Sequence, residues 1–109
     1  MPTVYKVLAQ SNPSATTATT LYTVPSSTST VVSTITVCNQ ASTAGSYRIA
    51  VRPAGASLAA QHYVAYDVPI AANDTTALTL GITLATTDVV TIYASSANMS
   101  FAAFGSEIS

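Results

Sequence analysis

The chain predicts a single all-β domain over residues 1–109, an antiparallel β-sandwich of about eight strands with jelly-roll or immunoglobulin-like topology. Three observations carry this. Apolar residues alternate with period two in short pieces, and no segment keeps them at i, i+3, i+4 and i+7 for long. Thr, Val and Ile dominate those pieces, and β-branched side chains favour a pleated, half-buried surface. Turn clusters then recur every roughly 8–12 residues, the spacing of sandwiches and barrels.

The elements follow in order. Val4 to Ala9 and Leu21 to Val24 form the first two strands, the second closed by Pro25. Between them the Ser/Thr-rich stretch 11–20 is expected as a mobile arm or a long loop. In the third strand Val31, Ser33, Ile35 and Val37 share one face, and Val32, Thr34, Thr36 and Cys38 the other. Both faces are fairly apolar, which predicts a central strand covered on both sides. The fourth places Tyr47, Ile49 and Val51 against Arg48, Ala50 and Arg52, and stops at Pro53, which has no N–H to donate. The fifth alternates Val64, Tyr66 and Val68 against Tyr63, Ala65 and Asp67 before Pro69. Thr76, Leu78, Leu80 and Ile82 form a stripe that Gly81 interrupts as a bulge or bend. Val90 and Ile92 then oppose Val89, Thr91 and Tyr93, and the last strand carries Met99, Phe101 and Ala103 on one face.

Composition narrows the function. Three Lys/Arg and four Asp/Glu make up 6% of 109 residues and leave a formal net charge of -1, where an ordinary domain carries about 25% charged residues. Disorder is excluded by the 49% hydrophobic content and a mean hydropathy of +0.42. With Lys6, Arg48 and Arg52 as the only cations there is no basic patch, so no nucleic-acid partner is expected. Cys38 has no second cysteine to pair with. The N-terminus lacks a basic region followed by an apolar one, and no apolar run approaches the ~18 residues of a membrane span. The chain reads as an intact, intracellularly made product with no membrane partner, and its two glycosylation sequons are idle in that setting.

Reactive groups are scarce. His62 opens a strand and Cys38 ends an apolar one, where a buried, inert thiol is the ordinary reading. Asp67, Asp74, Asp88 and Glu107 lie on separate segments, which gives no paired carboxylates and no clustered metal ligands. No glycine loop suits a phosphate. No catalytic residue, metal or cofactor is expected, and the chain is not read as an enzyme.

Interaction is the remaining class. Arg48 and Arg52 share one strand face about 13 Å apart, either as surface side chains, one of them paired with Asp67, or as polar anchors to an acidic partner surface. Tyr5, Tyr63 and Tyr93 are candidate contact residues, whereas Tyr47 and Tyr66 alternate with core positions. A threonine-rich surface with uncharged strand edges invites pairing with other chains. Covering of those edges by a partner subunit is the economical expectation.

Several segments resemble small structural proteins of tailed bacteriophages, cyanophages included. Leu21-Tyr22-Thr23-Val24-Pro25 leads into Val32 to Asn39, as that family's opening leads into a strand ending in Val-Cys-Asn. Tyr47 to Gly55, Asn73 to Ser95 and Phe104 to Ile108 look similar too. The resemblance implies a virion component made in the host cytoplasm, foremost a capsid decoration (cement) protein. Its partners would be the major capsid protein or neighbouring tail proteins, and further copies of itself, as a homotrimer. The alternatives are a small tail, collar or fibre component, and a glycan-binding module.

Overall fold

Eight strands account for most of the chain in the computed structural model, which describes residues 2–109; Met1 lies outside them. They are β1 (Thr3–Ser11), β2 (Thr19–Thr23), β3 (Ser29–Asn39), β4 (Gly45–Arg52), β5 (Tyr63–Ile70), β6 (Thr75–Leu84), β7 (Val89–Ala94) and β8 (Met99–Ile108). Two short 3-10 turns, Pro53–Gly55 and Ala60–His62, sit in the β4–β5 connection.

The strands form two four-stranded antiparallel sheets, ordered β1-β8-β3-β6 and β2-β7-β4-β5. Within them β1 pairs with β8, β2 with β7, β3 with β6 and β4 with β5. The first half of the chain thus runs beside the second as one long ribbon that doubles back between β4 and β5. Wrapping that ribbon adds the β3–β8 and β4–β7 pairings. The order is that of a jelly roll, which resolves the topology that the sequence leaves open.

The core lies between the sheets. Val32, Ile35 and Val37 from β3 meet Tyr47 and Ile49 from β4, Val90 and Ile92 from β7, and Met99 and Phe101 from β8, all at most 1% exposed. Tyr47 and Phe101 pack edge to face, with ring centroids 6.4 Å apart at 78°, an arrangement favoured by the ring quadrupoles. Among the described residues, the Tyr47 hydroxyl is the one buried side-chain polar atom without a hydrogen-bond partner. Asn39, 1% exposed, is fully engaged: its amide donates to the carbonyls of Thr43 (3.0 Å) and Ala71 (3.1 Å) and accepts from the Ala41 N–H.

A line of register breaks crosses the β1-β8-β3-β6 sheet. Opposite the Phe104–Gly105 step of β8, β3 inserts Ser33; β6 places Leu80 and Gly81 opposite Ser33, and β1 inserts Leu8 one step along, opposite Ala103–Phe104. Gly81 has φ +62°, a backbone conformation that glycine adopts without strain, and the bulge expected at this residue is present. The Ser33 hydroxyl donates to the Phe104 carbonyl at 3.0 Å. At Gly105 the sheet closes so tightly that a Cβ would lie 1.9 Å from the Val31 carbonyl oxygen.

These breaks correct three face assignments. Val32, not Val31 or Ser33, shares the core face with Ile35 and Val37, because the extra residue at Ser33 flips the alternation. Leu80 is thrown outward at the β6 bulge and is 43% exposed. In β5 an extra residue opposite Arg48 turns Tyr66 out to 56% exposure, while Ala65 and Val68 pack on the core. β3 is central in its sheet, but its outer face is only half-buried. Pro69 does not end β5, which runs on to Ile70: an edge strand accommodates a residue without an N–H. The 11–20 stretch is the β1–β2 connection, held by Asn12 donating to the Ala97 and Met99 carbonyls and by the Thr16 N–H donating to Ala94.

Gly105→Ala is expected to lower unfolding stability by about 3 kcal/mol through overpacking against backbone, measured by urea denaturation. Tyr47→Phe removes an unpartnered hydroxyl at nearly constant volume, and should leave stability unchanged or raise it by up to about 1 kcal/mol. A loss of that size would mean that the hydroxyl does have a partner.

Candidate interaction surfaces

Strand pairing places every charged side chain against a group of its own chain. On β4 the Arg48 guanidinium donates to both Asp67 oxygens, Nε to Oδ1 at 2.6 Å and Nη2 to Oδ2 at 3.3 Å. Its carbon also lies 4.2 Å from the ring centroid of Tyr66 and 4.3 Å from that of Tyr93. The β5 bulge makes this possible. Adjacent strand residues normally point to opposite faces, but Asp67 sits at φ +48° and so joins Tyr66 on the outer side. The Asp67 hydrogen bond, with its charge and the two rings, holds the Arg48 guanidinium well above its usual range.

Arg52, at the far end of β4, donates from Nε to Thr91 Oγ1 (3.0 Å) and from Nη1 to the Ala56 carbonyl (3.1 Å), fixing the turn that follows β4. Asp88 accepts from the Ala54 and Ala85 N–H groups at 2.8 and 2.9 Å, and Asp74 from the Thr75 N–H at 2.8 Å. The two arginines that the sequence offers as anchors are therefore engaged within the fold.

The last pair stitches the two sheets together. Lys6 on β1 meets Glu107 on β8 at 2.9 Å. The Tyr22 hydroxyl on β2, in the opposite sheet, donates to Glu107 Oε2 at 2.5 Å and lies 2.9 Å from Thr30 Oγ1. Tyr22 first, then Lys6, hold the Glu107 carboxyl below the usual carboxylate range. Burial first, then Glu107, pushes the Tyr22 phenol up to about 12. No sequence signal pairs these residues, because Tyr22 and Glu107 are 85 positions apart.

An uncharged face and an apolar groove remain. The face is the outer side of the β1-β8-β3-β6 sheet, whose registers align five cross-strand rows: Thr3·Ile108·Ser29, Tyr5·Ser106·Val31·Thr83, Val7·Phe104·Thr34·Thr79, Gln10·Ala102·Thr36·Ala77 and Ser100·Cys38·Thr75. None of these residues is charged. Lys6 and Glu107 fall in the intervening, inward rows. Tyr5 is 84% exposed and stands beside a hollow of about 500 Å³ lined with Val31, Ser33 and Phe104, with Lys6, paired to Glu107, at its rim. At the other end of this face a second hollow, of about 430 Å³, is lined by Gln10, Asn12, Thr36, Cys38, Ser100 and Ala102 among others. Cys38 is half-buried there, on the outer face and not in the core.

The second surface is an open groove of about 680 Å³ beside β5, lined by Leu58, Ala59, Ala60, Tyr63 and Tyr66. Tyr63 stands edge-on to Tyr66 at 4.8 Å and is half-buried. Tyr93 lies over Arg48. The three candidate tyrosines are thus divided: Tyr63 and Tyr93 belong to the Arg48 side of the molecule, and Tyr5 stands on the opposite sheet.

The reactive residues do not converge. His62 Nδ1 accepts the Ala59 N–H at 3.0 Å, which closes the turn before β5, while Cys38 belongs to the other sheet. Among the described residues no group of three or more His, Cys, Asp or Glu gathers. Compared with known proteins, the chain matches no family model, no curated protein and no solved structure.

The Tyr22–Glu107 pair contributes to the pH dependence of stability, and the Tyr47 phenol, raised by burial, adds to its alkaline side. Glu107 binds its proton less tightly in the folded state, so its contribution is present above the unfolded carboxylate range and lost as pH falls through the folded pKa. Tyr22 holds its proton more tightly when folded, so stability falls as pH rises from 10.0 towards about 12. Tyr22→Phe should lower stability at neutral pH by about 1–2 kcal/mol and flatten the alkaline decline in urea-unfolding profiles. An unchanged alkaline decline would assign it to another group.

Proposed function

We propose that this chain is a virion structural protein, a capsid decoration protein that stabilises the assembled head. The observation that carries the reading is the disposition of charge. All seven charged side chains have partners within the fold, and an extended β-sheet face is left uncharged, with Tyr5 and Val7 exposed on it. A chain free in solution ordinarily keeps a mixed, charged surface against association. This one has an uncharged sheet face and an apolar groove, on opposite sheets, as a protein bridging its neighbours requires. The jelly roll also builds many viral capsid domains, which supports the reading by analogy of fold alone. The segments resembling tailed-phage structural proteins point the same way.

Stabilisation would work by linkage. A protein that binds only the closed lattice adds about 2.7 kcal/mol per site at a free concentration of 100 times its Kd. Rigid strands suit that task, since little ordering entropy opposes binding.

A tail, collar or fibre component is the second reading, and it uses the same surfaces. The exposed Tyr66 ring beside the β5 groove favours the glycan-binding alternative, yet one side of that ring already faces Arg48.

Purified particles of the encoding phage provide the test. A decoration protein is expected in on the order of hundreds of copies per particle by gel densitometry, and a tail component in small multiples of three or six. Absence from washed particles would overturn both.

A further inference from the structure

We infer that two copies of this chain associate through the outer face of the β1-β8-β3-β6 sheet, about a two-fold axis lying across the strands. This assignment is independent of where the protein sits in a particle. Charge is the first reason. A face meeting its own copy juxtaposes like charges near the axis, which costs stability at most protein surfaces. The five outward rows carry no charged residue. Lys6, the one charge that reaches a hollow on this face, is already paired with Glu107 and lies at the end away from the axis, so two copies meet at little of that cost.

Area is the second. Four strands ~4.8 Å apart and nine to eleven residues long, apart from the shorter reach of β6 around its bulge, offer roughly 600 Å² per copy at ordinary strand spacing and rise. A pair would then bury roughly 1,200 Å², above the ~1,000 Å² expected of a specific interface.

Shape is the third. Tyr5, the most exposed large hydrophobic side chain, stands in the second of the five rows, and the Gln10–Cys38 hollow lies towards the opposite end of the same face. An axis across the strands, between the Val7 and Gln10 rows, brings the Tyr5 row of one copy onto the Ser100·Cys38 row of the other. Each Tyr5 then enters its partner's hollow, beside Cys38, and the contact is made twice. Edge pairing is the competing mode, and the fold opposes it. All four edge strands carry register breaks: β1 at Leu8, β2 at Leu21, β5 at Tyr66–Asp67 and β6 at Leu80–Gly81. Face-to-face contact therefore replaces both the covered edges and the homotrimer that the sequence suggests.

Analytical ultracentrifugation of the wild type, Tyr5→Glu and Leu58→Glu tests this, with circular dichroism confirming that each is folded. Both substituted residues are exposed, so the fold should tolerate the changes. The wild type should sediment as a dimer at about 200 µM, Leu58→Glu should match it, and Tyr5→Glu should dissociate about tenfold or more readily. Maleimide labelling of Cys38 should be correspondingly faster in Tyr5→Glu. A monomeric wild type, a trimer, an assembly that survives Tyr5→Glu, or one that Leu58→Glu also breaks would each overturn the assignment.

Discussion

The Phe104–Gly105 step of β8 is the hinge of this architecture. β3 slips past it by one residue at Ser33, β6 answers with Leu80 and Gly81 opposite Ser33, and β1 slips by one at Leu8 a single step away. Strand side chains alternate strictly, so each odd insertion exchanges the inward and outward sets on its strand. Without the insertion at Ser33, Val32 and Ile35 could not both face the core, where both are fully buried. The separate slip at Leu8 puts Lys6 in an inward row opposite Gly105, next to Glu107, which the unbroken alternation of β8 already turns inward. Gly105 permits the close approach, because any Cβ there would meet the Val31 carbonyl.

The few charges act on this frame as clamps. Glu107 ties β1 and β8 to Tyr22 across the sandwich, Asp88 joins the turn after β6 to the turn after β4, and Asp67 holds Arg48 between two rings. Individually such contacts at a surface contribute little. Their greater consequence is for the exterior, because each charge already has a partner within the fold, even where, as at Lys6 and Asp67, the side chain stays exposed. An uncharged outer sheet face and a groove beside β5 are what remain for contact with other molecules.

Much of the fold was legible in the sequence. β4, β7 and β8 alternate without interruption in the residues that reach the core, and their face assignments hold: Tyr47 and Ile49, Val90 and Ile92, Met99 and Phe101 are buried. The difficulties lay where registers break. A bulge shows in sequence when a glycine marks it, as at Gly81; Ser33 and Asp67 have no such mark, and the faces of β3 and β5 were misread there. Clusters formed across the sandwich were equally hidden. Nothing local connects Tyr22 with Glu107, or places Tyr66 and Asp67 together beside Arg48. The candidate residues illustrate the same limit: the sequence offers Tyr5 as a contact residue, but its exposure and its hollow come from the assembly of β1, β3 and β8.

The central claim is that contacts with other molecules rest on uncharged surface. Salt dependence tests it most directly. Across sodium chloride from about 0.05 to 1 M, where the Debye length falls from more than 10 Å to about 3 Å, the dimer dissociation constant should stay level or decrease. A severalfold weakening of association with rising salt would mean that charge pairs hold the interface, and would contradict the account.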